Sequence, residues 1–116
     1  MADWVRVAKA AEVPAGQAKV VRAEGQRLAL SNVEGTYYVI EDLCTHDGGP
    51  LGEGELIGSL LECPRHGARF DVKTGRPVTL PAVIPVKTFP VKVEGEEIFV
   101  EMPSALRQAQ GERPEG

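Results

Sequence analysis

Short runs in which apolar and polar residues alternate dominate this chain, and alternation of that kind predicts β-strands. The run TYYVI at residues 36–40 is β-branched and aromatic, and it follows the turn signal Glu34-Gly35. Residues 89–93 and 97–101 flank Glu94-Gly95-Glu96, an arrangement typical of a hairpin. No stretch longer than about one turn repeats with the 3.6-residue period of a helix. The pattern therefore predicts an all-β protein.

Residues 42–84 differ from the rest because glycine and proline are concentrated there. The residues concerned are Gly48, Gly49, Pro50, Gly52, Gly54, Gly58, Pro64, Gly67, Gly75, Pro77 and Pro81. Short strands at residues 60–62 and 69–72 are expected to carry these loops. Such loops bury little apolar area and lose much entropy on ordering, so a bound metal would supply a cross-link that they need. We expect an antiparallel base of about six strands, with a small ligand-bearing subdomain at about residues 42–84 inserted between them.

Length and composition indicate one globular domain. The chain has 116 residues, of which 42% are hydrophobic and 26% are charged, which is ordinary for a soluble protein. We expect the domain to occupy residues 1–102 and a polar, disordered tail to occupy residues 103–116. The net charge of −4 argues against nucleic acid as a partner, because phosphates require a basic surface.

No segment predicts export or insertion into a membrane. The first residues, MADWVR, lack a positively charged stretch followed by an apolar one. The longest apolar runs have three to four residues, whereas roughly 20 are needed to span a bilayer. We therefore expect a soluble, cytoplasmic protein without membrane contact. In that reducing compartment its two cysteines are expected to be ligands rather than a disulfide.

Every cysteine and histidine of the chain lies in one of two short motifs. Cys44-Thr45-His46 is the first and Cys63-Pro64-Arg65-His66 is the second, with sixteen residues between them. A chain that places all of these ligands in two Cys/His pairs is best interpreted as a metal-cofactor protein. The donor set suits structural zinc, a copper or mononuclear iron site, or a [2Fe–2S] cluster with two Cys on one iron and two His on the other.

The order of the ligands separates these cofactors in part. A zinc finger pairs Cys with Cys and His with His, whereas each motif here mixes one Cys with one His. Two mixed loops that fold toward each other place two thiolates on the inner side and two imidazoles on the outer side. That layout suits an asymmetric two-iron cluster, although a mixed pair on each loop can also bind zinc.

The two motifs resemble the Rieske [2Fe–2S] signature, and the resemblance covers roughly residues 3–102. It includes Gly49-Pro50-Leu51 after the first motif and GARFD at residues 67–71 after the second. It implies an all-β fold, a Rieske-like antiparallel β-sandwich or barrel base with a small inserted cluster-binding subdomain. It also implies one [2Fe–2S] cluster per chain, with Cys44 and Cys63 on one iron and with His46 and His66 on the other. Pro81 resembles the proline of the loop that covers the cluster in this family.

Departures from the family pattern indicate which kind of Rieske protein this is. Rieske proteins of cytochrome bc complexes have a disulfide between the cluster loops, and Gly49 and Arg65 occupy those cysteine positions here. High-potential members have a Ser and a Tyr whose hydroxyls donate hydrogen bonds to cluster sulfur, and Ala68 and Phe70 stand there in this chain. Because such hydrogen bonds stabilise the more negative, reduced cluster, we expect a potential near the low end of the Rieske range of about −150 to +300 mV.

The resemblance is strongest to soluble Rieske-type ferredoxins, similar to the ferredoxin components of bacterial ring-hydroxylating dioxygenase systems. It implies a one-electron carrier, not an enzyme, between a flavin-dependent reductase and a terminal oxygenase, with transient contacts at the His-exposed edge of the cluster. A Rieske oxygenase also needs a mononuclear iron site with two His ligands, and no His is left to build one. The alternatives are a small subunit similar to that of assimilatory nitrite reductase, a carrier in another redox path, and structural zinc.

Several charged residues near the motifs have two interpretations. Asp42 and Asp47 flank the first motif, where they either form an acidic rim for a basic partner or make hydrogen bonds within the loop. Arg65 and Arg69 either contact a partner or are solvated.

The aromatic residues are expected to contribute mainly to the core. Trp4, Phe89 and Phe99 are interpreted as core residues. Tyr37 and Tyr38 point to opposite faces of one strand, so at most one of them is expected in the core.

Overall fold

The computed structural model describes residues 2–42, 51–64, 67–78 and 85–103, and in these ranges the chain forms ten β-strands and one 3₁₀ turn. The strands are β1 (Ala2–Lys9), β2 (Ala18–Ala23), β3 (Gln26–Val33), β4 (Thr36–Glu41), β5 (Leu56–Ile57), β6 (Leu60–Glu62), β7 (Arg69–Asp71), β8 (Thr88–Phe89), β9 (Val91–Glu94) and β10 (Glu97–Pro103), and the 3₁₀ turn is Ala10–Glu12. They form three antiparallel sheets with the orders β1-β10-β9, β2-β3-β4-β8 and β5-β6-β7. The first two sheets form the base and the third forms the inserted subdomain, which confirms the predicted all-β class.

The sheet β2-β3-β4-β8 is the middle layer, and both of its faces are covered. On one face Leu28, Leu30 and Val39 pack with residues of β1 and β10 in the core of the base. On the other face Ala29 and Ile40 pack with a second apolar cluster that belongs to the inserted subdomain. Burying a leucine, isoleucine or valine side chain stabilises the fold by about 1.5–3 kcal/mol. The inserted subdomain is therefore held on the base by the reverse side of the same sheet.

Pro90 divides the predicted run at residues 89–93 into two strands that belong to different sheets. Phe89, in β8, pairs with Val39 of the middle sheet, whereas Val91, in β9, pairs with Val100 of the first sheet. Proline has no N–H to donate, so a strand bends readily at this point. The hairpin across Gly95 is confirmed, but it begins at Val91, and the base has seven described strands rather than about six.

The prediction that Trp4 and Phe99 are core residues was wrong, whereas Phe89 does lie in the base core. Trp4 is 40% exposed and Phe99 is half-buried. Their neighbours Val5 and Val100 point into the core, and alternation along each strand turns Trp4 and Phe99 outward. The ammonium group of Lys92 lies 4.6 Å from the centre of the Trp4 ring.

Neither tyrosine of β4 is fully buried, which agrees with the expectation that at most one of them lies in the core. Tyr37 is half-buried against the base core and Tyr38 is half-buried against the second cluster. The two side chains do point to opposite faces of the strand, but each of those faces is covered. Sequence periodicity gave the orientation correctly and did not reveal the second apolar layer.

Asn32 and Ser31 are neighbouring buried polar residues on β3 with opposite hydrogen-bonding states. The Asn32 amide nitrogen donates to the carbonyl oxygen of Val13 at 2.8 Å, and its Oδ1 accepts from the N–H of Gly35 at 2.7 Å. Gly35 is the second residue of the tight turn between β3 and β4, with φ of +92°, a conformation that glycine adopts at little cost. In the described structure the Ser31 hydroxyl has no hydrogen-bond partner. Asn32 therefore links the turn to the 3₁₀ segment, while Ser31 carries an uncompensated desolvation cost.

Replacing these two neighbours by alanine should have unequal effects on stability. Asn32→Ala leaves a buried carbonyl and a turn N–H without partners, so we expect it to lower the free energy of unfolding by about 2–3 kcal/mol. Ser31→Ala removes an unpaired buried hydroxyl and should be neutral or stabilise the fold by up to about 1 kcal/mol. Thermal unfolding followed by circular dichroism checks the order, and a Ser31 variant that melts below the Asn32 variant would contradict it.

Candidate metal centre

Cys63 is the one predicted ligand that lies within the described residues, and it directly follows β6. Its side chain is buried at 1% exposure and its thiol is free. It packs in the second apolar cluster, together with Leu61, Ala68 and Phe70. Sulfur suits such surroundings because a thiol behaves as a small hydrophobe. The structure therefore presents one soft donor at the end of a strand.

Backbone hydrogen bonds close the turn that contains the second motif. The N–H of Cys63 donates to the carbonyl of Ala68 at 2.6 Å, and the N–H of Gly67 donates to the carbonyl of Cys63 at 3.0 Å. Gly67 has φ of +77°, a left-handed conformation that disfavours any residue with a Cβ. Arg65 and His66 lie outside the described residues, so the described structure gives the two ends of this turn.

The first motif lies between two described points that the Asp42 carboxylate joins. Asp42 Oδ1 accepts hydrogen bonds from the N–H groups of Leu51, at 2.8 Å, and of Gly52, at 2.5 Å. The interpretation of Asp42 as a loop residue that makes hydrogen bonds is confirmed. Residues 43–50, which include Cys44, His46, Asp47 and Gly49, lie outside the described residues. Their flanks are nevertheless fixed to each other by one side chain.

The segment with Pro81 also begins and ends at fixed points, although residues 79–84 themselves lie outside the described residues. On one side the N–H of Val78 donates to the carbonyl of Arg69 at 2.8 Å. On the other side the N–H of Val86 donates to the carbonyl of Gly75 at 2.9 Å. A Cβ at Gly75 would overlap the Val86 carbonyl oxygen, so only glycine permits this approach.

The flanks of all three segments meet in one apolar cluster. Leu51 follows the first segment, Cys63 and Ala68 bracket the second, and Val86 follows the third. Each of these side chains is 4% exposed or less. A further link joins the first two segments, because Gly54 approaches β6 so closely that a Cβ would overlap the carbonyl oxygen of Glu62. Residues that flank three separate segments of the sequence therefore pack together in one apolar cluster.

Ala68 and Phe70 are both fully buried beside Cys63 in this cluster. Neither side chain carries a hydroxyl, so neither donates a hydrogen bond in the position that the resemblance assigns to donors. The described part of this environment is apolar.

The Arg27–Asp42 pair is a feature of this site that the sequence did not reveal. Arg27 donates from Nε at 2.8 Å and from Nη2 at 2.7 Å to Oδ2 of Asp42. The β3–β4 register, in which Leu28 faces Glu41, places Arg27 beside Asp42. Register was the only signal that could have found this pair, because fourteen residues lie between the two in sequence.

Arg69 has an ion-pair partner at the edge of the turn. Its Nε lies 3.3 Å from Oε2 of Glu62, the residue before Cys63, and both side chains are partly exposed. The sequence allows either partner contact or solvation for Arg69, and the structure adds an ion-pair partner within the chain.

Of the four predicted ligands, only Cys63 lies within the described residues, and its surroundings are compatible with a metal cofactor. No group of three or more His, Cys, Asp or Glu side chains within the described ranges is placed to hold a metal ion, and three of the four predicted ligands lie outside those ranges. What the described structure supplies is a buried free thiol on a hydrogen-bonded turn, in an apolar setting. No described helix is long and apolar enough to cross a membrane.

Comparisons with known proteins identify the group to which this arrangement belongs. The Rieske [2Fe-2S] domain family matches residues 3–90. The ferredoxin component of the naphthalene 1,2-dioxygenase system of Pseudomonas aeruginosa is 40% identical over 99 residues, which is 85% of this chain and 95% of that protein.

Two solved structures have the same fold. The Sphingomonas yanoikuyae B1 ferredoxin superposes with a TM-score of 0.81 at 36% identity, over 87% of this chain and all of that one. A chain in a complex of reduced oxygenase and oxidized ferredoxin in carbazole 1,9a-dioxygenase gives 0.79 at 38% identity, over 84% of this chain and 91% of that one. The resemblance and the fold class are thereby confirmed, and family membership implies a [2Fe–2S] cluster. This chain belongs to the Rieske [2Fe–2S] domain family, in which its relatives are ferredoxins.

Proposed function

We propose that this protein is a cytoplasmic one-electron carrier that passes electrons from a flavin-dependent reductase to a terminal oxygenase. It holds one [2Fe–2S] cluster per chain, with Cys44 and Cys63 as ligands of one iron and with His46 and His66 as ligands of the other. The match to 95% of the length of a dioxygenase ferredoxin component is the observation that carries this proposal. The free thiol of Cys63 also fits a reducing compartment, where cysteines serve as ligands.

The described residues support this ligand set through their packing. Cys63 and the flanks of the segments that contain Cys44, His46 and His66 share one apolar cluster, which favours the approach of the four donors. When bound, such a cluster accepts and returns one electron. If Cys44, His46, Cys63 and His66 held the cluster as proposed, all coordination positions of its irons would be filled, and none would be open to a substrate. Because the chain has no His beyond the two ligands, it has none for acid–base chemistry.

The partner surface is proposed to lie at the edge of the cluster that the two His occupy. A solved complex in carbazole 1,9a-dioxygenase joins an oxygenase to a ferredoxin, and a chain of that complex resembles this protein. Next to the turn with His66, the partly exposed Glu62–Arg69 pair presents both signs of charge. Mixed charge of this kind favours brief, oriented contacts that weaken as salt is added.

The reduction potential of the cluster is proposed to be low for a Rieske centre. Ala68 and Phe70 are buried beside Cys63 and carry no donor. A cluster that gains an electron also gains negative charge, which donors to sulfur would stabilise. Without those donors, reduction is less favourable and the potential falls.

The first expected outcome concerns the cofactor. The pure protein should be red-brown, contain two irons and two acid-labile sulfides per chain, and give a rhombic Rieske-type EPR signal after reduction. Cys63→Ser should lose the signal because it replaces a thiolate ligand. Colourless protein with one zinc and without iron would refute the cluster and favour structural zinc.

Electron relay is tested with a flavin-dependent reductase of a naphthalene dioxygenase system, NADH and cytochrome c as the final acceptor. Cytochrome c reduction should rise in proportion to the amount of this protein and fall to the background rate with Cys63→Ser. A rate that does not depend on this protein would contradict the carrier role.

The origin of the low potential is tested by restoring a donor. Ala68→Ser should raise the midpoint potential by about 50–100 mV, which is one hydrogen bond of about 1–2 kcal/mol that favours the reduced state. Ala29→Ser is the matched control, since Ala29 is a buried alanine of the same apolar cluster on the middle sheet. Equal potentials for the wild type and both variants would show that the donor position does not set the potential.

A further inference from the structure

Asp42 is buried within two residues of Cys44, a ligand in the proposed function. Its side chain has no exposed surface, and both carboxylate oxygens are occupied by donors. Oδ1 accepts from the N–H groups of Leu51 and Gly52, and Oδ2 accepts from Arg27. The N–H of Asp42 also donates to the Arg27 carbonyl at 3.2 Å. A carboxylate this deeply buried is retained only because its charge and its lone pairs are matched.

The surrounding residues are shaped to allow this contact. A Cβ at Gly52 would lie 2.8 Å from Cγ2 of Val20 and 3.1 Å from Oδ1 of Asp42. A side chain at this position would crowd Val20 and the carboxylate, so glycine suits the contact. Arg27 stands on β3 and Asp42 directly follows β4, so the pair connects the rigid middle sheet to the segment beyond it.

The connection fixes both ends of the segment at residues 43–50, which carries Cys44 and His46. One carboxylate holds its first flank, which is Asp42 itself, and its second flank, at Leu51 and Gly52. Closing a loop costs conformational entropy, and a clamp at its base meets part of that cost before any ligand binds. Arg27 adds a positive charge that balances the carboxylate beside the first ligand.

We propose that Arg27 and Asp42 are positioning residues of the iron–sulfur centre, which hold the first ligand segment and keep its surroundings electrically neutral. The proposal rests on the proposed [2Fe–2S] function. It assigns two effects to one pair. The geometry of the clamp slows loss of the cluster, and the balance of its charges keeps the potential from shifting in either direction.

The two charges make a prediction that a purely structural role does not make. Arg27→Gln leaves a buried negative charge near the cluster, which disfavours the added electron and should lower the midpoint potential. Asp42→Asn leaves a positive charge and should raise it. The double variant removes both charges and should return the potential close to that of the wild type.

The chain offers a matched control for the arginine change. Arg6, on β1, forms an ion pair with Glu97, on β10, and its side chain is 47% exposed, close to the 41% of Arg27. Arg6→Gln therefore removes a charge of similar exposure from an ion pair on the first sheet, whose buried residues belong to the base core and not to the second cluster. It should leave the potential and the cluster unchanged.

The experiment uses the full-length holoprotein and measures three quantities for each variant. They are the midpoint potential, the g-values of the reduced EPR signal, and the rate at which an iron chelator removes the cluster below the unfolding temperature. We expect Arg27→Gln and Asp42→Asn to shift the potential in opposite directions and to lose iron about tenfold faster or more, since breaking a buried ion pair is costly. Arg27→Lys keeps the positive charge but has a single donor group. Its potential should therefore equal that of the wild type, and its rate of iron loss should lie between those of the wild type and Arg27→Gln.

The outcomes separate this proposal from the proposed function. Single variants that match Arg6→Gln in potential and in chelation rate, with an intact Rieske signal, would overturn the clamp alone. Potentials that shift in the same direction would also overturn it. A wild type without a [2Fe–2S] signal would overturn the proposed function itself. If Asp42→Asn does not accumulate as folded protein, Arg27→Gln and Arg27→Lys still decide the matter.

Discussion

Burial of the middle sheet on both faces is the constraint on which the rest of this structure depends. Alternate residues of β3 and β4 serve two different cores, so that Leu30 and Val39 stabilise the base while Ala29 and Ile40 stabilise the inserted subdomain. A sheet with one wet face would leave the Gly-rich insertion without an apolar surface to pack on. The insertion contributes only short strands, and its order depends on this shared layer.

The candidate site packs on the middle sheet, and the contacts that the structure shows lie at the flanks of its segments. The described flanks of the ligand segments are held by backbone hydrogen bonds, by one buried carboxylate and by glycines that allow close approach, as at Gly54 and Gly75. None of these groups is a ligand. They restrict the chain on either side of the proposed donors, so the fold itself meets part of the entropy cost of ordering these segments. The same arrangement keeps Cys63 buried and in its apolar setting.

Prediction from the sequence succeeded where chemistry is local. The short strands, the hairpin across Gly95 and the family were all predicted correctly, because turn residues and ligand motifs act over a few positions. Prediction failed for the burial of side chains, because burial depends on which face of each sheet another part of the chain covers. Trp4 was predicted to be a core residue and is exposed, and the second apolar cluster, on which Tyr38 packs, is not visible in the alternation along the strand. The ligand set, with the segments at residues 43–50 and 65–66, stays a prediction.

The sequence by itself determined the kind of fold, through its alternating short runs, and the family, whose signature the two mixed Cys/His pairs resemble. Only the tertiary structure decided how the site is supported. The pairing of Arg27 with Asp42 follows from strand register, and register is set by the fit of two apolar faces over the whole sheet. The split of the chain at Pro90 likewise depends on which sheet each half can reach. These pairings join residues that are distant in sequence. The free energy of packing decides them, and the local sequence pattern does not.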